Sequence, residues 1–168
     1  MSRAFVKEPD GGMPEEGLPE RQISEHPNYV TPAGRKQLED KVGELETRRL
    51  ELLEQEDDAL AADQLQYVDR DLRYFTARLE SAIPVAMNRQ PRRKVAFGAV
   101  VGVLQADGQR RTFAIVGEDE ADVKAGKISY VSPLADTLID ARVGKRLLWR
   151  RPAGNIEITI ESIEYPDD

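Results

Sequence analysis

The chain has 168 residues, 33% of them charged and 40% hydrophobic, with a formal net charge of −7; this is room for one ordinary domain or two small ones, rich in exposed charge. It has no cysteine, which excludes a disulfide framework and thiolate chemistry. No apolar run approaches the ~20 residues that span a bilayer, and no apolar segment near Met1 marks a signal peptide, so the expectation is a cytoplasmic protein with no membrane partner.

The negative charge sits early. Residues 1–30 carry 3 basic and 6 acidic side chains, residues 31–83 carry 8 and 13, and residues 84–168 carry 13 and 12. Phosphate contacts need a basic face, so no stable binding to free DNA is expected. Residues 1–30 hold Pro9, Pro14, Pro19 and Pro27 with three glycines and several glutamates, a composition that builds no core. The plain expectation is a flexible or surface-draped extension; the functional one is a docking segment that seats Phe5, Val6, Ile23 or Tyr29 in a groove. His26 has no Cys, His or Asp at ligand spacing and reads as a surface residue.

Thr31-Pro32 opens a first helix, with threonine as N-cap and proline at the first helical position. Leu38, Val42, Leu45, Arg49 and Leu52 recur alternately four and three residues apart, a seam with Arg49 as its polar intruder. The helix is predicted to run to about Glu56, an arm on the order of 35–40 Å long. A second helix is predicted from about Ala59 to Ala82, where Leu65, Val68, Leu72, Phe75, Leu79 and Ala82 repeat the pattern, and Pro84 stops it. Two amphipathic helices with so short a connection fold back antiparallel, giving a finger over residues 31–83 with a carboxylate-rich tip.

From Lys94 the period changes to two. Val95, Phe97, Ala99, Val101 and Val103 alternate with their neighbours, which predicts a strand; Asp107-Gly108 signals a tight turn, and Thr112 to Val116 the returning strand. Ile128 to Val131 reads as a third, short strand. Ser132-Pro133 opens a helix to about Ala141, and Arg146 to Arg150 and Ile156 to Tyr165 complete the sheet. Ile156, Ile158, Ile160 and Ile163, joined by Trp149, are the expected core face. The fold class is α+β: an antiparallel helical hairpin followed, over residues 84–168, by an antiparallel sheet with one helix packed on it.

The runs Lys94-Val95-Ala96-Phe97-Gly98-Ala99, Ile115-Val116-Gly117-Glu118-Asp119-Glu120 and Ile128-Ser129-Tyr130-Val131-Ser132-Pro133-Leu134-Ala135, with Val143-Gly144, Pro152-Ala153-Gly154 and Ile163-Glu164-Tyr165, follow one another after that hairpin. In order and spacing this succession resembles the GreA/GreB family of bacterial transcript-cleavage factors, over about residues 29–165. The resemblance implies an FKBP-like C-terminal domain that docks at the rim of the RNA polymerase secondary channel. It also implies a coiled coil that enters the channel, where two tip acids help hold a second Mg²⁺ in the polymerase active site. Such a protein has no cofactor of its own and is not an enzyme; at most it lends oxygen ligands to a hard cation in another enzyme's site.

The family's tip usually reads Gly-Asp-Leu-x-Glu-Asn-Ala-Glu-Tyr. Here Asp58 stands at the first acidic position, Ala61 in place of the glutamate and Ala62 in place of the asparagine. By the same resemblance each arm is shorter by about one heptad, or ~10 Å of reach. The acidic candidates at the tip are Glu56, Asp57, Asp58 and Asp63, with Asp57 and Asp58 as metal ligands only when docked on polymerase. Their plainest reading is a solvated loop whose acids favour a helix N-terminus. The resemblance also assigns polymerase contact to Ile115, Gly117, Asp119, Ser132, Pro133 and Leu134, whose plain reading is core and helix capping. Arg70, Arg73 and Arg78 lie off the seam; the plain reading is solubility and pairing with Asp69 or Asp71, and the functional one a weak contact to nascent RNA or the channel wall. The leading expectation is a polymerase-bound elongation regulator that does not stimulate standard cleavage. The alternative is a cleavage factor that supplies tip carboxylates to the polymerase's second Mg²⁺.

Overall fold

The structure, a computed structural model, describes residues 17–168. Phe5 and Val6, two of the candidate docking residues, lie outside that range. Helix α1 spans Pro32–Leu53 and helix α2 Ala59–Glu80. Thr31 caps α1, its hydroxyl accepting from the Gly34 N–H at 2.9 Å, and Asp58 caps α2, accepting from the Leu60 N–H at 2.9 Å. Helix α1 stops about one turn short of its expected end because the residues of the tip form a turn, and α2 ends two residues early, at the base of the hairpin, with Ser81 as its C-cap.

The seams do not share their burial evenly. Leu38, Leu45 and Leu52 of α1 are buried, whereas every predicted seam residue of α2 is only half-buried. A lone helical hairpin has no third layer to cover its second face, so one helix stays wetter. Arg49 keeps its seam position by pairing with Asp69 of the other helix at 2.7 Å.

Residues 17–30, expected to be flexible or draped over the surface, run along α2. Arg21 lies 4.0 Å over the Tyr74 ring, and Glu20 pairs with Arg73 at 2.5 Å. The segment ends in strand β1 (Tyr29–Val30), which pairs in parallel with β2 (Ile83–Pro84) just beyond α2. Both ends of the hairpin are therefore tied to each other.

The C-terminal domain is a curled five-stranded sheet in the order β5-β4-β3-β7-β6, formed by β3 (Val100–Gln105), β4 (Arg110–Val116), β5 (Lys127–Ser129), β6 (Arg146–Trp149) and β7 (Ile156–Glu164). Helix α3 (Pro133–Leu138) closes one side of its core, which Val101, Val103, Ile115, Leu138, Ile158 and Ile160 fill. The sheet is mixed, where an antiparallel one was expected: β5 returns parallel to β4, because a connection with one short 3₁₀ turn at Val123–Ala125 carries the chain back beside Ala114, in the second half of β4.

The expected strand from Lys94 begins only at Val100. Val95 and Ala99 are fully buried, as the alternation predicted. Gly98, however, adopts φ +85 and turns the chain, and Met87 packs where its Cβ would stand. The odd spacing from Ile160 to Ile163 also has a cause. A register shift against β3 between Gly102 and Val103 makes a bulge at Glu161, which returns Ile163 to the core side.

Gly98 and Gly108 share almost the same φ, +85 and +84, but nothing lies within 4 Å of a Cβ built on Gly108. Gly108→Ala is expected to cost only the backbone strain, about 1 kcal/mol, and Gly98→Ala that strain plus displacement of Met87, about 3 kcal/mol in all. Urea unfolding of the two variants checks the difference.

Candidate functional site

Three consecutive acids follow β4 and reach back to the base of the hairpin. Asp119 accepts from the Arg78 Nε at 2.5 Å and from the Tyr74 hydroxyl at 2.6 Å. The guanidinium of Arg78 also donates to Asn28 Oδ1 at 2.8 Å and lies 3.8 Å from Glu118 Oε2. Glu120 accepts from the Thr31 hydroxyl and stands 3.7 Å from Lys127 Nζ. Arg78 is 2% exposed. A guanidinium so withdrawn from water is tolerable only because its donors meet carboxylate and amide oxygens.

Close backbone approach seals the same junction. A Cβ on Gly117 would strike the Tyr29 carbonyl oxygen, and one on Gly34 would press against the Glu120 carboxylate. Tyr29, Phe97 and Tyr130 pack edge to face or tilted, with centroids 5.5–6.0 Å apart, and the Tyr130 hydroxyl donates to the Pro27 carbonyl at 2.5 Å. Burial, then the bond to Asp119, pushes the Tyr74 hydroxyl up to about 12, so it stays a donor to that carboxylate at any physiological pH. Hairpin, N-terminal segment and sheet meet in one clamp.

The acids expected at the tip are differently placed. Asp58 spends one carboxylate oxygen on the α2 cap. Glu56, Asp57 and Asp63 are exposed. Among the described residues, no three His, Cys, Asp or Glu side chains converge to hold a metal ion. A hard cation keeps several oxygen ligands, and these carboxylates, exposed and with Asp58 engaged in a cap, do not complete such a set on their own. Leu50, Leu53 and Leu60 flank the tip and are 62%, 40% and 62% exposed.

The six residues assigned to polymerase contact divide. Ile115 and Leu134 are core, and Gly117 is closed off by the N-terminal segment. Asp119 is occupied by Arg78 and Tyr74. Ser132 caps α3 through the Ala135 N–H at 3.2 Å. Only Pro133 is exposed, next to Val131 at 36%. Of the three arginines, Arg70 pairs with Asp71, Arg73 with Glu20, and Arg78 is buried rather than solvating the surface. Of the clamp residues, the pattern offers Thr31 only as a helix cap and Arg78 only as a surface cation, and it does not mark Asn28, Tyr74 or Glu120 as a site. The available signal is the run of three acids after a strand, more carboxylates than the following Lys124 and Lys127 can pair, which calls for partners from elsewhere in the fold.

A family model described as the C-terminal part of transcription elongation factor GreA/GreB matches residues 90–165. The transcription elongation factor GreB of Neisseria meningitidis serogroup A is 38% identical over 157 aligned positions, which take in 84% of this chain and 96% of that one. Since 84% of 168 residues is about 141, about 16 of those positions have no counterpart here. GreA of Thermodesulfovibrio yellowstonii is 35% identical over 106 residues, 62% of this chain and 67% of that protein. Among solved structures, a GreA/GreB factor from Nitrosomonas europaea overlays with a TM-score of 0.42 at 19% identity, covering 82% of this chain and 98% of that one.

The cap assignment separates two neighbouring acids. Asp58→Ala is expected to lower stability by about 1 kcal/mol through loss of the cap, and Asp57→Ala to leave it unchanged within about 0.5 kcal/mol; thermal unfolding of both variants measures this.

Proposed function

The chain belongs to the GreA/GreB family of transcription elongation factors, and we propose that it regulates elongation by docking on RNA polymerase through its sheet domain and placing a short acidic finger in the secondary channel, without stimulating standard transcript cleavage. The observation that carries this reading is the tip. A pair of free carboxylates facing one cation is what transfer of a second Mg²⁺ requires. In this chain Ala61 and Ala62 stand where the family has glutamate and asparagine, and Asp58 is engaged in capping its helix. The ~16 positions without a counterpart here relative to the meningococcal GreB are of the size that a hairpin shorter by about one heptad per arm, or ~10 Å of reach, would need.

In this reading the protein performs no chemistry. The sheet domain supplies affinity, with Pro133 at the start of α3, beside Val131, as the exposed part of its contact surface. The finger excludes other factors from the same entry by occupying it. Any Mg²⁺ involved belongs to the polymerase. The alternative, a cleavage factor, is favoured by one observation: Glu56 and Asp57 are exposed and make no side-chain bond among the described residues.

Stalled, backtracked elongation complexes distinguish the two. Added alone in excess with Mg²⁺, the protein is expected to leave the RNA unshortened, and added with a cleavage-competent relative, to suppress that relative's cleavage. RNA shortened by this protein alone, and restored to full length by Asp57→Asn, would establish the alternative. Failure to co-purify with core polymerase would overturn both.

A further inference from the structure

Residues 142–151 carry five cationic side chains and no carboxylate, in a chain whose net charge is −7. The whole-chain charge that argues against binding free DNA averages over this segment and hides it. Its centre is β6, the edge strand of the sheet. Arg146, Leu148 and Arg150 are exposed, and Leu147, Trp149 and Arg151 are half-buried on the other face.

The curl of the sheet brings β4 over to this edge. Phe113 of β4 meets Trp149 of β6 edge to face at 5.5 Å, although β3 and β7 lie between them in the sheet order. The Arg111 guanidinium stands 4.9 Å from the Phe113 ring and 5.3 Å from Trp149, and Arg151 stands 5.3 Å from Trp149. Trp149 thus carries two guanidinium groups. Arg111, Arg146 and Arg150 make no side-chain hydrogen bond or ion pair among the described residues, and Arg151 bonds only the Gly154 carbonyl, at 2.9 Å.

A guanidinium held against an indole loses little further freedom on binding and keeps its N–H edge for a phosphate. Phe113 is buried in the core, so the half-buried Trp149 is the ring left to stack on a base, a contact of a kind that an acidic protein segment would not use. We propose that this arginine–tryptophan layer binds single-stranded RNA, through phosphate contacts to Arg111, Arg146, Arg150 and Arg151 and base stacking at Trp149. It lies at the end of the sheet with the Asp107-Gly108 turn, since Trp149 pairs with Ile156 while Ile158 already faces Gln105. The hairpin clamp is at the other end, after β4. Binding here is therefore independent of what the finger tip does.

Trp149 is the chain's one tryptophan, so its emission reports on the site directly. Titrating the full chain with oligouridylate of about a dozen nucleotides is expected to quench that emission saturably. The affinity is expected to fall as salt rises from about 50 to about 200 mM, with a logarithmic slope of about −0.7 per phosphate neutralised. The double variant R111Q/R151Q is expected to weaken binding about tenfold, and R146Q/R150Q, whose side chains stand clear of the core, several-fold with unchanged thermal unfolding. The proposal is overturned by absence of saturable quenching at low salt, by unchanged affinity in both double variants, or by polyglutamate of equal charge binding as well as the RNA, which would make the site one for acidic protein segments.

Discussion

The buried ion pair between Arg78 and Asp119 is the interaction on which the rest of the structure depends. It joins the last turns of α2 to the loop after β4, and among the described residues it is the ion pair most withdrawn from water between the two halves of the chain. Each further contact at the junction uses the same few residues: Asn28 on the guanidinium, Tyr74 on the carboxylate, and Glu118 and Glu120 on either side. A pair of this kind contributes little net stability when compared with an apolar replacement of the same shape. Removing one partner, however, strands the other charge at a cost of about 3–5 kcal/mol. Its main effect is therefore to specify one arrangement of finger and sheet.

That specification matters because of leverage. Helices of 22 residues make arms of about 33 Å, so a tilt of about 10° at the base moves the tip by roughly 6 Å, more than one turn of helix. The aim of such an arm is set at its base, where side chains are buried, since the tip is largely exposed acids and leucines around Leu52 and Ala61. The parallel pairing of β1 with β2, and the strap of residues 17–30 along α2, add further contacts at the same base.

The periodicities made most of this architecture legible. The leucines at 38, 45 and 52 mark the buried stripe of α1, Ser132-Pro133 marks the start of α3, and Ile158 and Ile160 mark the core strand. What the patterns could not carry were contacts between distant segments. Alternation at Val95, Phe97 and Ala99 looks like a strand, yet Gly98 with positive φ turns it into a loop that buries the same residues. Asp119 enters as a contact residue through the resemblance alone, and only the fold brings Arg78 to it. The direction of β5 depends on where a connecting loop leads, which local propensity does not encode. At the tip, the loss of acidic character at Ala61 was plain from the residues, whereas the diversion of Asp58 into a cap needed the helix boundary.

The central claim is that the clamp at the hairpin base fixes the direction of the finger. The absence of cysteine allows spin labels to be placed at two chosen sites, Asp57→Cys at the tip and Gln109→Cys on the far turn of the sheet. The distance distribution between them, measured by pulsed electron resonance in the intact chain and again with Arg78→Ala added, tests the claim directly. A single narrow distribution that broadens or splits when Arg78 is replaced, with helical content retained, is the result the account predicts. An equally narrow distribution at the same distance in both proteins, or a broad one before any replacement, would contradict it.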